Sequence, residues 1–132
     1  MTADGESSAR RHQKLLVVED NPEMQKLLHY FLSPRWEVYA AFDLESAIEL
    51  AAARSFDVVL MDINLGEGTT GVEVLRAIRQ IPQNVLTPVV AVTAYALPGD
   101  RERFLAEGFD GYISKPFARQ QLEGVIERVI AA

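Results

Sequence analysis

Four short apolar runs, each closed by a residue able to do chemistry, constrain this chain more than any other feature. LLVV at residues 15–18 runs into Glu19 and Asp20, and VVLM at 58–61 into Asp62. VVAV at 89–92 runs into Thr93, and GYIS at 111–114 into Lys115 and Pro116. Runs of this length, rich in β-branched residues, read as buried parallel strands. In an open α/β sheet, ligands bind outside the carboxyl ends of the strands. If the four strands are neighbours, three carboxylates, a hydroxyl and an ammonium converge on one pocket. Such a set suits a cation and a phosphoryl group.

Helical signals alternate with the strands. Asn21 and Pro22 open a first helix, with Asn as cap and Pro at the first helical position. Met24, Leu27, Leu28, Phe31 and Leu32 recur at helical spacing, and Ser33-Pro34 ends the element. A second strand covers 36–40. Asp43 caps a second helix that turns Leu44, Ala47, Ile48 and Ala51 inward. The third strand, 56–61, leads into a Gly- and Thr-rich loop and a third helix over 71–79, with Val72, Leu75 and Ile78 inward. Pro82 and Pro88 bracket the way to the fourth strand. A fourth helix, 98–107, is closed by Gly108, and its thin apolar face rests on Leu97, Phe104 and Leu105. A weakly anchored helix of this kind is a candidate moving part. The last helix, 118–130, carries Leu122, Val125, Ile126, Val129 and Ile130 on one stripe. Five strands alternating with five helices imply a parallel sheet covered on both faces. The expected fold is α/β and flavodoxin-like: a doubly wound five-stranded parallel sheet in the order 2-1-3-4-5, with strands 1 and 3 meeting at the switch point.

Length and composition narrow the function. A chain of 132 residues is one domain, and residues 1–13 (MTADGESSARRHQ) read as a flexible polar tail before a domain over 14–132. Arg10, Arg11 and Lys14 read as a solvated basic lead-in. The net charge of −6 argues against direct nucleic-acid binding. No apolar stretch is long enough for a bilayer span, and no secretory signal is visible. There is no cysteine, hence no disulfide framework or thiolate zinc site, and a cytoplasmic location is expected.

Three carboxylates in one pocket repel: two charges at about 4 Å cost roughly 4 kcal/mol at an effective dielectric of 20. Either one keeps a proton or cations sit among them. Lys115 neutralises one charge, and a hard divalent cation neutralises more. Asp20 and Asp62 are the expected direct ligands, Glu19 acts through water, and the backbone carbonyl of Asn64 is a further ligand. A carboxylate beside Mg²⁺ and an ammonium can attack a phosphoryl donor and become an aspartyl phosphate. Thr93 and Lys115 would then each hold one oxygen of the transferred group. His12 lies in the tail and His29 inside the first helix, so neither is placed for triad chemistry. Pro116 is a candidate for a cis peptide that aims Lys115. By pattern, Tyr112 is either core filler or a residue with two rotamer states.

LLVVEDNP, VVLMDINL, VVAVTAYA and GYISKPF, in this order and at these intervals, resemble the receiver domain of bacterial two-component response regulators over residues 14–131. The resemblance implies that Asp62 is the phosphoacceptor, that Glu19 and Asp20 are the acidic pair binding Mg²⁺ (or Mn²⁺), and that Lys115 binds phosphate. It implies that Thr93 and Tyr112 are the switch pair, which changes the surface of helix 4, strand 5 and helix 5. Asn64 and Tyr95 stand where the family tunes phosphate lifetime. The loop at 65–71 (LGEGTTG) departs from the family's usual proline-containing form.

The implied function is a phosphoacceptor switch. It would be loaded by a histidine kinase or histidine phosphotransfer protein, lose its phosphoryl group slowly by itself, and act on a downstream protein, with a phosphorylation-dependent dimer as one mode of output. Starting at Met1 and ending just past the last helix, the chain reads as a stand-alone protein. The alternatives are a receiver cut from a hybrid histidine kinase or longer regulator, and a non-phosphorylated pseudo-receiver that only binds. Phosphatases and phosphotransferases of other aspartyl-phosphate families carry a second Asp two residues past the nucleophile, where this chain has Asn64.

Overall fold

The computed structural model describes residues 13–65, 70–94 and 97–131. Five strands alternate with five helices: β1 Gln13–Val18, α1 Pro22–Leu32, β2 Trp36–Ala41, α2 Leu44–Ala53, β3 Val58–Asp62, α3 Gly71–Ile78, β4 Val89–Thr93, α4 Asp100–Glu107, β5 Gly111–Ser114 and α5 Arg119–Ala131. A 3₁₀ turn, Pro82–Asn84, precedes β4. The strands form one sheet, all parallel, in the order β2-β1-β3-β4-β5, as the alternation of elements predicts. Gln13, expected in the tail, is the first residue of β1. Arg10, Arg11, His12, Tyr95 and residues 66–69 of the atypical loop lie outside the described residues.

The two faces of the sheet follow from the two-residue period of a strand. Leu16, Val18, Val59, Met61, Val89 and Ala91 meet Ala47 and Ala51 of α2, Val74, Leu75 and Ile78 of α3 and Phe104 of α4. Leu15, Val17, Val58, Leu60, Val90 and Val92 meet Leu28 and Leu32 of α1 and Leu122, Val125 and Ile126 of α5. Both faces are buried under helices, which explains why the strands read as unbroken apolar runs.

Several helix faces differ from the expectation. In α1, Leu27 is exposed and the polar Gln25 is buried beside Leu28 and Leu32. Its position, three and seven residues before those leucines, puts it on the same stripe. Around α4, Leu97 and Leu105 are exposed, while Asp100 and Phe104 are buried. The helix starts at Asp100, two residues later than expected, because Gly99 has φ of 85° and breaks the helical path. The third strand starts at Val58 because the N–H of Phe56 donates to the side chain of Asn84 at 2.9 Å, outside the ladder.

Asn84 ties the amino-terminal end of the sheet to α2. Its Oδ1 accepts from Phe56 N–H and from Thr87 Oγ1 at 3.0 Å, and its Nδ2 donates to the carbonyls of Ala51 at 2.6 Å and Arg54 at 2.9 Å. Arg79, just past α3, does the same for β4 and the turn before β5. It donates to the Thr87 carbonyl at 2.6 Å and pairs with Asp110 at 3.0 Å, while Asp110 also accepts from Val89 N–H at 2.9 Å.

Candidate phosphoacceptor and metal site

The register fixes what meets at the carboxyl ends of the strands. Val18 pairs with Met61, Asp62 with Val92, and Thr93 with Ser114. Glu19, Asp62, Thr93 and Lys115 therefore leave four adjacent strands within about one residue of a common level. Asp20 follows at the turn into α1, where Asn21 caps the helix by accepting from Met24 N–H at 3.0 Å. The Lys115–Pro116 peptide bond is cis. Lys115 N–H donates to the Thr93 carbonyl at 2.7 Å, which holds the ends of β4 and β5 together.

One oxygen each from Glu19, Asp20 and Asp62 can be chosen so that all three lie within 4.8 Å of one another. Glu19 and Asp62 are buried, and Asp20 is exposed. The Lys115 ammonium stands 3.1 Å from Glu19 Oε1 and 3.8 Å from Asp62 Oδ2. Glu19 Oε2 accepts from Asn21 N–H at 3.1 Å, and Asp62 Oδ1 from Asn64 N–H at 3.2 Å. The Asp62 carboxyl is nevertheless pushed up from 3.8 to about 7. Burial is the main cause and the charge on Glu19 the second, against the opposing pull of Lys115 and the Asn64 N–H. A single ammonium thus leaves the repulsion only partly relieved. An all-oxygen, strongly anionic group of this kind fits a hard divalent cation such as Mg²⁺.

The remaining candidates stand around this centre. Thr93 is buried at the end of β4. Asn64 is exposed and reaches the site through its backbone, and it pairs in an isolated bridge with Thr70 across the loop. Tyr112 is half-buried, stacked on Phe104 with ring centroids 5.7 Å apart, and packs against the core. Burial and the nearby Asp100 carboxylate raise its phenol pKa, with Arg103 opposing. Tyr112 also lines a groove of about 590 Å³ with Arg101, Val125 and Arg128. That groove lies beside β5 and between α4 and α5, and none of Glu19, Asp20 and Asp62 lines it.

Two supporting residues escape a reading of motifs. Gln25 donates through Nε2 to the carbonyls of Glu19 at 2.9 Å and Ala41 at 3.0 Å. Its signal is a polar residue on an apolar helical stripe. Gly71 opens α3 with its N–H on the Ile63 carbonyl at 2.8 Å, and a Cβ there would stand 2.7 Å from the Asp62 carbonyl and 3.1 Å from Ile63 Cα. Both obstacles are backbone, so Gly71→Ala must displace the segment carrying Asp62. A loss of about 2 kcal/mol is expected in urea unfolding, together with a smaller thermal response to Mg²⁺.

The fold and this arrangement of side chains define a class, and the sequence comparison agrees: the chain belongs to the response regulator receiver domain family, which matches residues 15–127. It is 35% identical over 107 residues to the polar-differentiation response regulator DivK of Brucella anthropi, covering 80% of this chain and 86% of that protein. It is 33% identical over 115 residues to the signal transduction histidine-protein kinase BarA of Escherichia coli, covering 86% of this chain and 12% of the kinase, so it spans only a small part of that relative. Among solved structures it is similar to the receiver domain of the sensor histidine kinase PA1611 from Pseudomonas aeruginosa, with a TM-score of 0.81 and 35% identity, covering 92% of this chain and 99% of that one. The PA1611 domain carries a magnesium ion coordinated in its active-site cleft. No described helix is long and apolar enough to cross a membrane.

Proposed function

We propose that this domain is a phosphoacceptor switch in which Asp62 takes a phosphoryl group from a phosphohistidine of a histidine kinase or histidine phosphotransfer protein. The observation that carries the reading is the convergence of Glu19, Asp20 and Asp62 within 4.8 Å, with Lys115 bridging two of them. An Asp62 oxygen attacks phosphorus as the bond from phosphorus to the imidazole nitrogen breaks, and that nitrogen keeps the electron pair. Water later hydrolyses the acyl phosphate slowly. No general base is required: Lys115 and a cation, when bound, would hold Asp62 ionised, and its carboxylate is then itself the nucleophile. Lys115 and Thr93 each hold one phosphoryl oxygen, which is positioning and charge stabilisation. Glu19, Asp20, Asp62 and the Asn64 carbonyl would hold Mg²⁺ or Mn²⁺, which when bound offsets the charge of the carboxylates and of the incoming group. Tyr112 and Thr93 relay the change to the α4–β5–α5 surface, where the groove beside Tyr112 offers a downstream protein a place to read it. Asn64 and Tyr95 tune the lifetime of the phosphorylated state.

The match to a segment of BarA favours a second setting for the same chemistry, a receiver within a hybrid kinase or longer regulator. In either setting the test is incubation with acetyl phosphate, with Mg²⁺ or with EDTA, followed by intact mass measurement. One acid-stable, base-labile phosphoryl adduct with Mg²⁺ and none with EDTA is expected. No adduct with Mg²⁺ contradicts the reading.

The same site links cation to stability. A ligand bound only by the folded state at ten times its Kd adds about 1.4 kcal/mol, or roughly 4 °C for a domain of this size. Differential scanning fluorimetry across a Mg²⁺ titration at pH 8 should show this rise. A flat melting temperature up to tens of millimolar speaks against the three carboxylates as ligands.

A further inference from the structure

We propose that Gln25 is a positioning residue for the acidic pair and sets the affinity of the site for a divalent cation; this rests on reading Glu19, Asp20 and Asp62 as the cation's ligands. Gln25 is 8% exposed and lies one turn into α1. Its amide nitrogen uses both hydrogens on backbone carbonyls at the ends of two neighbouring strands, Glu19 at 2.9 Å and Ala41 at 3.0 Å. The Ala41 carbonyl also accepts the N–H of Glu19 at 3.0 Å. The two peptide groups of Glu19 are thus both tied, one through Ala41 and the other through Gln25.

The β1–β2 ladder ends at Val18 and Ala41, and among the described residues no backbone N–H donates to the Glu19 carbonyl. That carbonyl belongs to the planar peptide joining Glu19 to Asp20. Its direction therefore sets where the Asp20 backbone, and with it the exposed Asp20 carboxylate, leaves the strand. The Glu19 carboxylate has its own anchors in Lys115 and the Asn21 N–H, and Asp62 is carried by β3. Asp20 has no comparable hold on its side chain among the described residues, so its aim depends on the peptide that Gln25 fixes. Mg²⁺ demands near-ideal octahedral geometry at short range, which makes such an outer anchor matter. Removing the amide frees a buried carbonyl to rotate toward water and lets Asp20 drift from the other two carboxylates.

Isothermal titration calorimetry with Mg²⁺ at pH 8 tests this on the full chain, alongside melting temperatures. Gln25→Met fills similar volume without a donor, and Mg²⁺ affinity should fall about tenfold. Gln25→Asn keeps the amide but ends one methylene short of both carbonyls, and it carries the same expectation. Leu28→Ala on the same stripe serves as the structural control: it should melt lower than wild type with an unchanged Kd. Wild-type affinity in both Gln25 variants, whatever their melting temperatures, overturns the proposal while leaving the metal site intact. A wild-type chain that binds no Mg²⁺ overturns both.

Discussion

The Asp62→Asn protein is expected to take up no phosphoryl group from acetyl phosphate and, free of metal at pH 8, to melt higher than the wild type. The two effects share one cause. Asp62 is buried and faces Glu19, and its carboxyl is pushed up to about 7. Between its ordinary value of 3.8 and about 7 the unfolded chain gives up this proton while the folded chain keeps it. The stability associated with Asp62 is thus fully present below about pH 4, falls as pH rises, and levels off above about 7. At about 1.4 kcal/mol per unit, discounted for the Asp20 side of the pocket being open to water, the loss is about 2 kcal/mol. Asparagine keeps the shape and removes the charge, so metal-free Asp62→Asn should gain that amount at pH 8 and lose the downward slope from pH 4 to 7. Saturating Mg²⁺ should flatten the wild-type slope as well, because the cation stabilises the ionised carboxylates. Urea titrations with EDTA at a series of pH values read this directly. A variant less stable than wild type at pH 8 contradicts the account of unrelieved repulsion in the pocket.

The second large effect lies at the opposite end of the sheet. Asn84→Ala should destabilise the fold by about 3 kcal/mol, with the melting temperature down by roughly 8 °C. Asn84 is fully buried, and each polar atom of its amide has two partners. Alanine leaves the Phe56 N–H and the Ala51 and Arg54 carbonyls without their side-chain partner. Because the site is some 20 Å away along the strands, at about 3.3 Å per residue, phosphoryl uptake by the folded fraction should be unchanged. Urea unfolding paired with the adduct assay checks both halves. A loss under about 1 kcal/mol would mean that water replaces the amide at little cost.

Residues whose placement follows from local chemistry and strand period were readable in the sequence. Glu19, Asp62, Thr93 and Lys115 end strands that are apolar on both faces, so their placement follows once the strand order is known. The Asn21 and Asp43 caps are equally local. Gln25 and Asn84 were not readable, because a buried amide is defined by carbonyls that come from distant segments. Helix α4 misled for a related reason. Leu97 and Leu105 are apolar but face water, whereas Asp100 is buried because its carboxylate accepts from Leu97 N–H at 2.8 Å and pairs with Arg103 at 2.9 Å. Gly99 then decides where the helix starts, which hydrophobic periodicity cannot register.

The central claim is that Asp62 is the residue that carries the phosphoryl group. It is tested by loading the protein with acetyl phosphate and Mg²⁺, reducing the acyl phosphate with borohydride, and sequencing the peptides by mass spectrometry. Reduction converts a phosphorylated aspartate to homoserine. Homoserine at position 62 and nowhere else is the predicted result; homoserine at another carboxylate, or at none, would contradict the account.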